Sequence, residues 1–505
     1  MTGVPEIIPN LIPLSPAAEQ VLEACREAGG RPLIVGGSVR DALFGDPSAD
    51  VDIEVHGADI EALRELVPGE KGDHGAFGVL HTVHGGEEFD LALPRRADGT
   101  TEDVGRDEAF ARRDFTMNAM GWDPETGELI DPFGGRADLE AGILRHTGES
   151  FGQDPVHALR GIRFAGRYGF DLAPETLQLC RAMAPLCAEV PRAKVWGEFE
   201  KIAVGAVRPS RSLEALYATG WADNYPALAN VRGVAQDPIW HPEGAVDIHL
   251  GMAADAAASA ASETDLDAAD RTVAVLAALL HDVGKAEHRQ VHPDGSITNH
   301  GHDEGGVEPA REFLNTIGAP GHVKDRVLPI IREHMCHTGN AGKVTPKMVY
   351  RLIRRLDEGQ RGPSLADWAR VVDADLAGRG PGAKAPIGAR WLEVAEKLGV
   401  SSATDPILRG PDLEALGMKK GQEFAWIIRE SLDAQDDGVF TDSEGAVNWA
   451  VANRDRIISE QRPLWEARQS ERRRLNEQRI AKARADAKAM KQARRAAAAL
   501  PADGQ

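Results

Sequence analysis

At 505 residues the chain is too long for one ordinary hydrophobic core, and three or so domains are expected. Its composition is that of a globular protein, and no apolar run approaches the ~20 residues of a membrane span. A formal net charge of −21 excludes a protein that coats nucleic acid by bulk electrostatics, while a local basic groove stays open to it.

The N-terminus, MTGVPEIIPNLIPLSP, has no basic segment leading into a long apolar one, so a cytoplasmic location is expected. Cys25, Cys180, Cys187 and Cys336 form no CxxC pair and no dense framework, which fits a reducing compartment. Residues 1–30 read as a helical lead-in, with Leu14, Ala18, Val21, Leu22 and Cys25 at helical spacing. Residues 31–145 mix the strands LIVGG, DVDIEV, GVLHTV and EEFDLAL with a hairpin that turns at Pro124–Glu128. The fold class is therefore an α+β N-terminal head, a small mixed sheet with helices, followed by all-α segments. Helical periodicity marks 146–235 as a neck and 236–380 as a histidine-bearing domain, and 381–460 follows as a small helical unit behind the linker GRGPGAKAPIG. Residues 461–505 form a basic tail, helical or disordered, which lacks an apolar stripe and reads as a solvated face.

Within the head, residues 33–55 read LIVGGSVRDALFGDPSADVDIEV: strand, tight turn, short helix, strand. Alternation puts Asp50, Asp52 and Glu54 on one strand face, with Asp50 and Asp52 about 7 Å apart, a spacing that suits one or two Mg²⁺ ions. Asp90, in FDLAL, supplies a third carboxylate from another strand. Three converging carboxylates are what two-metal phosphoryl or nucleotidyl transfer needs. Gly36 and Gly37 allow close backbone approach, and the amides entering the next helix can cradle phosphates.

Gly36, Gly37, Ser38, Val39, Arg40, Asp41, Asp50 and Asp52 resemble the GG(S/A)VRD…DxD motif of the bacterial CCA-adding and poly(A) polymerase family, class II polymerase β-like nucleotidyltransferases. RRDFTMNA (112–119) is similar to the family's next element. The resemblance implies contacts to ribose and triphosphate, with Arg113 for phosphate and Asp114 and Asn118 for the sugar hydroxyls. Asp131–Gly135 resembles the hinge between head and neck. The family's base-selecting helix reads E-D-x-x-R, then L-R-x-x-R-F; here Gln153, Asp154 and His157 stand in the first part, with Arg160 and Arg163 in the second. Asp154 can accept from an exocyclic amine, whereas His157 is shorter than arginine and offers no fork. Arg160, Arg163, Arg167 and Lys194 would bind nucleotide and acceptor stem.

Farther on lie His249, His281-Asp282, His300, His302, His334, His337 and Asp375, each on or next to a predicted helix. Imidazole with carboxylate suits a divalent ion with open positions. WHPEGAVDIHLGM, LLHDVGKAEH, NHGHDEGG and DADLAGRG resemble the blocks of the HD phosphohydrolase domain found in one branch of the same family. The resemblance implies that His249, His281, Asp282 and Asp375 hold a divalent transition metal. His302 and His334 would serve as second-metal ligands or phosphate binders, and Lys285 as a phosphate ligand. The implied chemistry is hydrolysis of 2′,3′-cyclic phosphates or phosphomonoesters at damaged tRNA ends. The whole points to an enzyme that adds CMP, CMP and AMP to tRNA from CTP and ATP. The alternatives are a poly(A) polymerase or A-only or C-only adding enzyme, an HD phosphohydrolase with an inactive RNA-binding head, and a non-catalytic RNA-binding protein.

Overall fold

The computed structural model describes residues 6–46, 51–72, 79–95, 101, 104–339, 342–357, 361–380, 386–403 and 405–498. Asp50 lies outside the described residues. The head's strands are β1 (Glu6–Ile7), β2 (Arg31–Val35), β3 (Val51–His56), β4 (Glu70–Gly72), β5 (Val79–His84), β6 (Glu87–Ala92), β7 (Gly121–Trp122) and β8 (Glu128–Ile130). They form one sheet in the order β1-β8-β7-β2-β3-β6-β5-β4. Every neighbouring pair is antiparallel except β3 and β6, which run parallel.

Sequence accounts for the main choices. The apolar run of β2 is buried along nearly its whole length, as a central strand covered on both faces requires. Gly85 and Gly86, at φ +62° and +85°, supply the two left-handed residues that a two-residue turn between β5 and β6 needs. The expected hairpin is present as β7 and β8, and Asp123 Oδ1 accepts from the Glu125 amide (2.9 Å) in its turn. The lead-in helix Pro16–Glu27 is capped by Ser15 and buries Ala18, Val21, Leu22 and Cys25, the spacing read from the sequence.

Residues 131–135, expected as a hinge, start a helix: Asp131 accepts from the amides of Gly135 (2.7 Å) and Arg136 (3.0 Å) at the head of Gly135–Ala141. The short strand Ile143–Leu144 then pairs in parallel with Asp171–Leu172, a link no periodicity announced because each strand has two residues. The neck comprises Val156–Tyr168, Pro174–Met183, Arg192–Gly205 and Pro209–Ala218. The histidine-bearing part is built on Val246–Glu263, Ala268–Leu280, Gly321–Glu333 and Leu365–Ala377. One hydrophobic core runs from Ile53 and Leu91 through Leu159 and Phe199 to Leu250 and Val275.

Contacts divide the chain into two compact units, residues 1–344 with 355–396, and residues 345–354 with 397–505. The boundary expected at 380 and 381 thus falls inside the first unit. The second unit buries Leu408, Leu413, Phe424, Ile427, Ala450 and Ile457 and holds its recruited segment through Arg351 with Asp433 (3.2 Å) and Arg354 with Asp436 (2.7 Å). Its last helix spans Ser443–Ala498, so the basic tail is helical over its described length. Among the described residues no helix is long and apolar enough to cross a membrane.

Candidate active sites

The parallel register of β3 and β6 sets Asp52 opposite Asp90, so that strands about 4.8 Å apart present both carboxylates on one face. They line a cavity of about 270 Å³ together with Gly37, Ser38, Asp41 and His81. The Asp52 amide donates to Ser38 Oγ (3.1 Å), which fastens the strand to the turn after β2. Asp90 Oδ1 lies 2.9 Å from His81 Nδ1. The sequence reading missed His81; its signal is the antiparallel register that sets it opposite Asp90.

Glu54, expected to face the same way as Asp52, is fully buried and spoken for. Its carboxylate is 3.1 Å from Arg113 Nη2 and 3.0 Å from His56 Nε2. Burial by itself would raise its pKa, but the bond to His56 and the charge of Arg113 outweigh that and hold it below its ordinary value. Gly36 has φ +68°, and a Cβ there would stand 2.7 Å from Arg113 Nη1. Its lack of a side chain therefore makes room for a guanidinium as well as for a bent backbone.

Arg40, Asn118 and Asp114, all buried, form a relay that ends at the partly exposed Arg160. Arg40 pairs with Asp41 (2.7 and 2.8 Å) and donates to Asn118 Oδ1; Asn118 Nδ2 donates to Asp114 Oδ1 (2.9 Å); Arg160 Nε donates to Asp114 Oδ2 (2.5 Å). Burial pushes the Asp114 pKa up, and the Arg160 charge with the Asn118 bond brings it below its usual range. Tyr168 closes the group by donating to Asp41 Oδ1 (3.0 Å). These side chains, read as ribose and phosphate contacts, are engaged with one another and join the head to the neck helix Val156–Tyr168. Arg163 is likewise buried, 2.6 Å from Glu198 and over the Phe164 ring at 4.0 Å.

Asp154 and His157 stand together at the start of that helix. Asp154 Oδ1 accepts from the Val156 amide (3.0 Å) and Oδ2 lies 3.7 Å from Lys194 Nζ. His157 stacks on Phe151 at 5.2 Å and places Nδ1 3.0 Å from the Phe151 carbonyl oxygen. A carbonyl only accepts, so Nδ1 carries the proton and Nε2 of the neutral ring is an acceptor.

The second cluster gathers residues far apart in the chain. His249 Nε2 is 3.1 Å from Asp375 Oδ1, 3.3 Å from His281 Nε2 and 3.5 Å from Asp282 Oδ2. His302 Nε2 is 3.0 Å from Asp282 Oδ1 and 3.2 Å from His334 Nε2. All six residues are nearly or completely buried. Three of the imidazoles point Nδ1 at a backbone carbonyl: His281 at Ala278 (2.8 Å), His302 at Asn299 (2.6 Å) and His334 at Ile331 (2.6 Å). His249 Nδ1 instead meets Glu243 (2.7 Å). The carbonyl bonds put the Nδ1 proton on His281, His302 and His334, so that three Nε2 lone pairs, with His249 Nε2 beside them, face two carboxylates.

Acceptors aimed at acceptors in a buried site call for a cation, and Asp282 Oδ1 is a buried oxygen without a donor. The donor set therefore fits a divalent metal: among the described residues His249–His281–Asp375 and His281–Asp282–His334 are two of three groups that bring ligand atoms together, the third being His241–Glu243–His249. Burial would lower the His249 pKa, but Asp375 and Glu243 carry it up to about 9. Burial would raise Asp282, but Lys285 and His281 hold it well below the carboxylate range.

Lys285 departs from its expected role as a phosphate ligand. It is 5% exposed, with Nζ 2.6 Å from Asp282 Oδ2, 2.7 Å from Gln236 Oε1 and 3.2 Å from His241 Nε2. It is a charge clamp beneath the cluster. Gln236 and His241, which bond Lys285, and Glu243, which meets His241 and His249, were missed; the HPE segment before His249 was the available signal for the last two. His300 is exposed, and His337 bonds the His334 carbonyl (2.8 Å).

Residues 33–145 match the family described as poly A polymerase head domain, residues 169–231 the probable RNA and SrmB-binding site of polymerase A, and residues 246–373 the HD domain. The multifunctional CCA protein of Halorhodospira halophila is 36% identical over 430 residues, which span 80% of this chain and 99% of that protein. The multifunctional CCA protein of Xanthomonas campestris pv. campestris (strain B100) is 35% identical over 363 residues, 68% of this chain and 85% of that one. The crystal structure of the Bacillus stearothermophilus CCA-adding enzyme in complex with CTP shares the fold with a TM-score of 0.59, at 22% identity, across 90% of this chain and 100% of that chain. With head, neck and HD segments matched in order and a relative aligned along almost its whole length, the chain belongs to the multifunctional CCA protein family.

Proposed function

We propose that this nucleotidyltransferase adds CMP, CMP and AMP in turn to tRNA 3′ ends from CTP and ATP, and that its HD domain hydrolyses phosphoesters at damaged ends. A cytoplasmic location goes with these substrates. The observation that carries the transferase reading is the parallel register of Asp52 with Asp90 beside an open cavity at the Gly36–Arg40 turn.

In each addition the tRNA 3′-hydroxyl gives up its proton with help from Asp90, its oxygen forms a bond to the α-phosphorus, the bond from that phosphorus to the β-phosphate bridge breaks, and pyrophosphate leaves. Asp50 and Asp52 would hold Mg²⁺, which when bound supplies Lewis-acid help to the hydroxyl and the triphosphate. His81 holds Asp90 in place, and Arg113, anchored by Glu54, is the guanidinium available to the triphosphate. For base selection, Asp154 and His157 Nε2 are both acceptors, and cytosine N4 and adenine N6 are both amino donors. Either acceptor can take a proton of that amino group, whereas cytosine N3 and adenine N1 beside it are acceptors and call for a donor that His157 Nε2 does not supply. The relay from Arg40 to Arg160 connects the two ends of this machinery.

In the HD domain His249, His281, Asp282 and Asp375 would hold a divalent transition metal, which when bound activates water for attack on phosphorus. Glu243 orients His249, and Lys285 keeps Asp282 ionised.

The test offers each of four labelled nucleoside triphosphates, with Mg²⁺, to tRNA transcripts lacking one, two or three terminal nucleotides. CTP twice and then ATP once is the expected result. ATP alone, or incorporation without order, moves the assignment to a poly(A) polymerase or partial adding enzyme, and no incorporation leaves the HD domain as the working site.

A further inference from the structure

We infer that Arg379 is the phosphate ligand of the HD site: its guanidinium holds the non-bridging oxygens of the phosphoester that this domain hydrolyses. The inference rests on the reading of the cluster as a hydrolytic site and supplies the phosphate contact that Lys285 does not make.

A lysine has three N–H donors, and Asp282, Gln236 and His241 already stand around Lys285 Nζ. Arginine carries five in a planar fork, and Arg379 spends few of them. Both described bonds of its side chain leave from Nη2, to the two oxygens of Asp375 at 3.2 and 3.3 Å. A charge-assisted bond is usually about 2.7–2.9 Å long, so this pairing is loose. Nε is buried and, among the described residues, has no hydrogen-bond partner. Nε and Nη2 share one edge of the fork, which points the unmatched donor to the side where Asp375 stands.

The backbone fixes that edge. Arg379 lies in the turn that ends the helix Leu365–Ala377, one turn past Asp375, and its amide donates to the Leu376 carbonyl oxygen (3.2 Å). Gly378 lets this turn press on Val246–Glu263, the helix of His249; a Cβ at position 378 would stand 2.8 Å from the Ala253 amide nitrogen. The Arg379 side chain is 24% exposed and that of Asp375 3%, so the guanidinium stands between the buried cluster and solvent. A buried donor without an acceptor is costly, and a phosphoryl group brings acceptors that match the fork two at a time. In hydrolysis the oxygen of water bonds to phosphorus, the ester P–O bond breaks, and the proton from water leaves with the ester oxygen. The non-bridging oxygens stay on phosphorus throughout, where a fixed cation stabilises their charge.

The experiment compares the Mn²⁺-loaded parent with Arg379→Gln and Arg379→Lys, on 2′,3′-cyclic AMP and with inorganic phosphate as competitor. Arg379→Gln should lower kcat/KM about a hundredfold and raise the inhibition constant of phosphate roughly tenfold. Arg379→Lys keeps the charge, loses the fork and should fall between the two. Metal content, read by mass spectrometry, and nucleotide incorporation should stay at the parental level, and methylguanidine added to Arg379→Ala should restore part of the hydrolysis. Unchanged kcat/KM and phosphate inhibition overturn the inference. So does a loss that disappears at saturating Mn²⁺, which would make Arg379 a clamp for Asp375 alone. Should the parent hydrolyse no phosphoester, the hydrolase reading falls, and the heat of phosphate binding decides on Arg379: equal heats in parent and Arg379→Gln overturn its role, and a smaller heat in the variant upholds it.

Discussion

Replacing Glu54 by alanine strips a fully buried carboxylate from Arg113 and His56 and leaves the guanidinium beside Gly36 without its ion-pair partner. Breaking a fully buried ion pair from one side costs about 3–5 kcal/mol. The side chains of Arg113 and His56 keep 20% and 15% of their exposure, so solvent screens part of the loss and ~3 kcal/mol is the figure to expect. Glu54→Gln keeps the volume and one acceptor and should lose about 1.5–3 kcal/mol, the worth of a hydrogen bond to a charged group. The pH dependence has a definite sign. Because folding lowers the Glu54 pKa, its stabilisation is complete above the ordinary carboxylate value of about 4.3 and is lost as pH falls through the lower folded value; Glu54→Gln should lack that acid-side loss. The assay is urea unfolding, with hydrogen exchange of β3 and β6 to localise the change, alongside the KM for CTP. Glu54→Ala should open those strands and raise KM through a displaced Arg113. A cost below ~1 kcal/mol with unaltered exchange and KM would refute the anchoring argument.

Asp52→Asn and Asp90→Asn should each abolish nucleotide incorporation while phosphate release persists, which parallel assays of both activities would show. His281→Ala with Asp282→Ala should do the reverse, and phosphate release surviving that change would contradict the metal assignment. Gly284→Ala places a Cβ 2.1 Å from the His302 carbonyl oxygen and 2.6 Å from the Gly306 amide, so displacement of His302 should cost at least tenfold in metal affinity, read by titration with Mn²⁺. His157→Ala removes one base acceptor; discrimination of CTP and ATP against UTP and GTP should fall by about 1–3 kcal/mol, measured as ratios of kcat/KM.

By itself the sequence determined which residues are candidates for chemistry and in what order they stand. Two glycines before alternating aspartates, a third carboxylate on a later strand, and spaced histidines with one His-Asp pair are local patterns, because strand alternation and helix ends act within a few residues. The structure decided what stands across from each of them. Alternation put Glu54 on the face of Asp52, but only the arrival of Arg113, 59 positions later, made it an anchor. Lys285 reads as an exposed phosphate ligand until Gln236 and His241 enclose it. The short pairing of 143–144 with 171–172 gave no periodic signal, and the boundary near 381 moved because 345–354 joins the C-terminal unit across an intervening stretch. In each case the deciding partner is distant in sequence, and burial leaves a charged group no solvent to turn to, so its role is set by whatever the tertiary fold brings within about 3 Å.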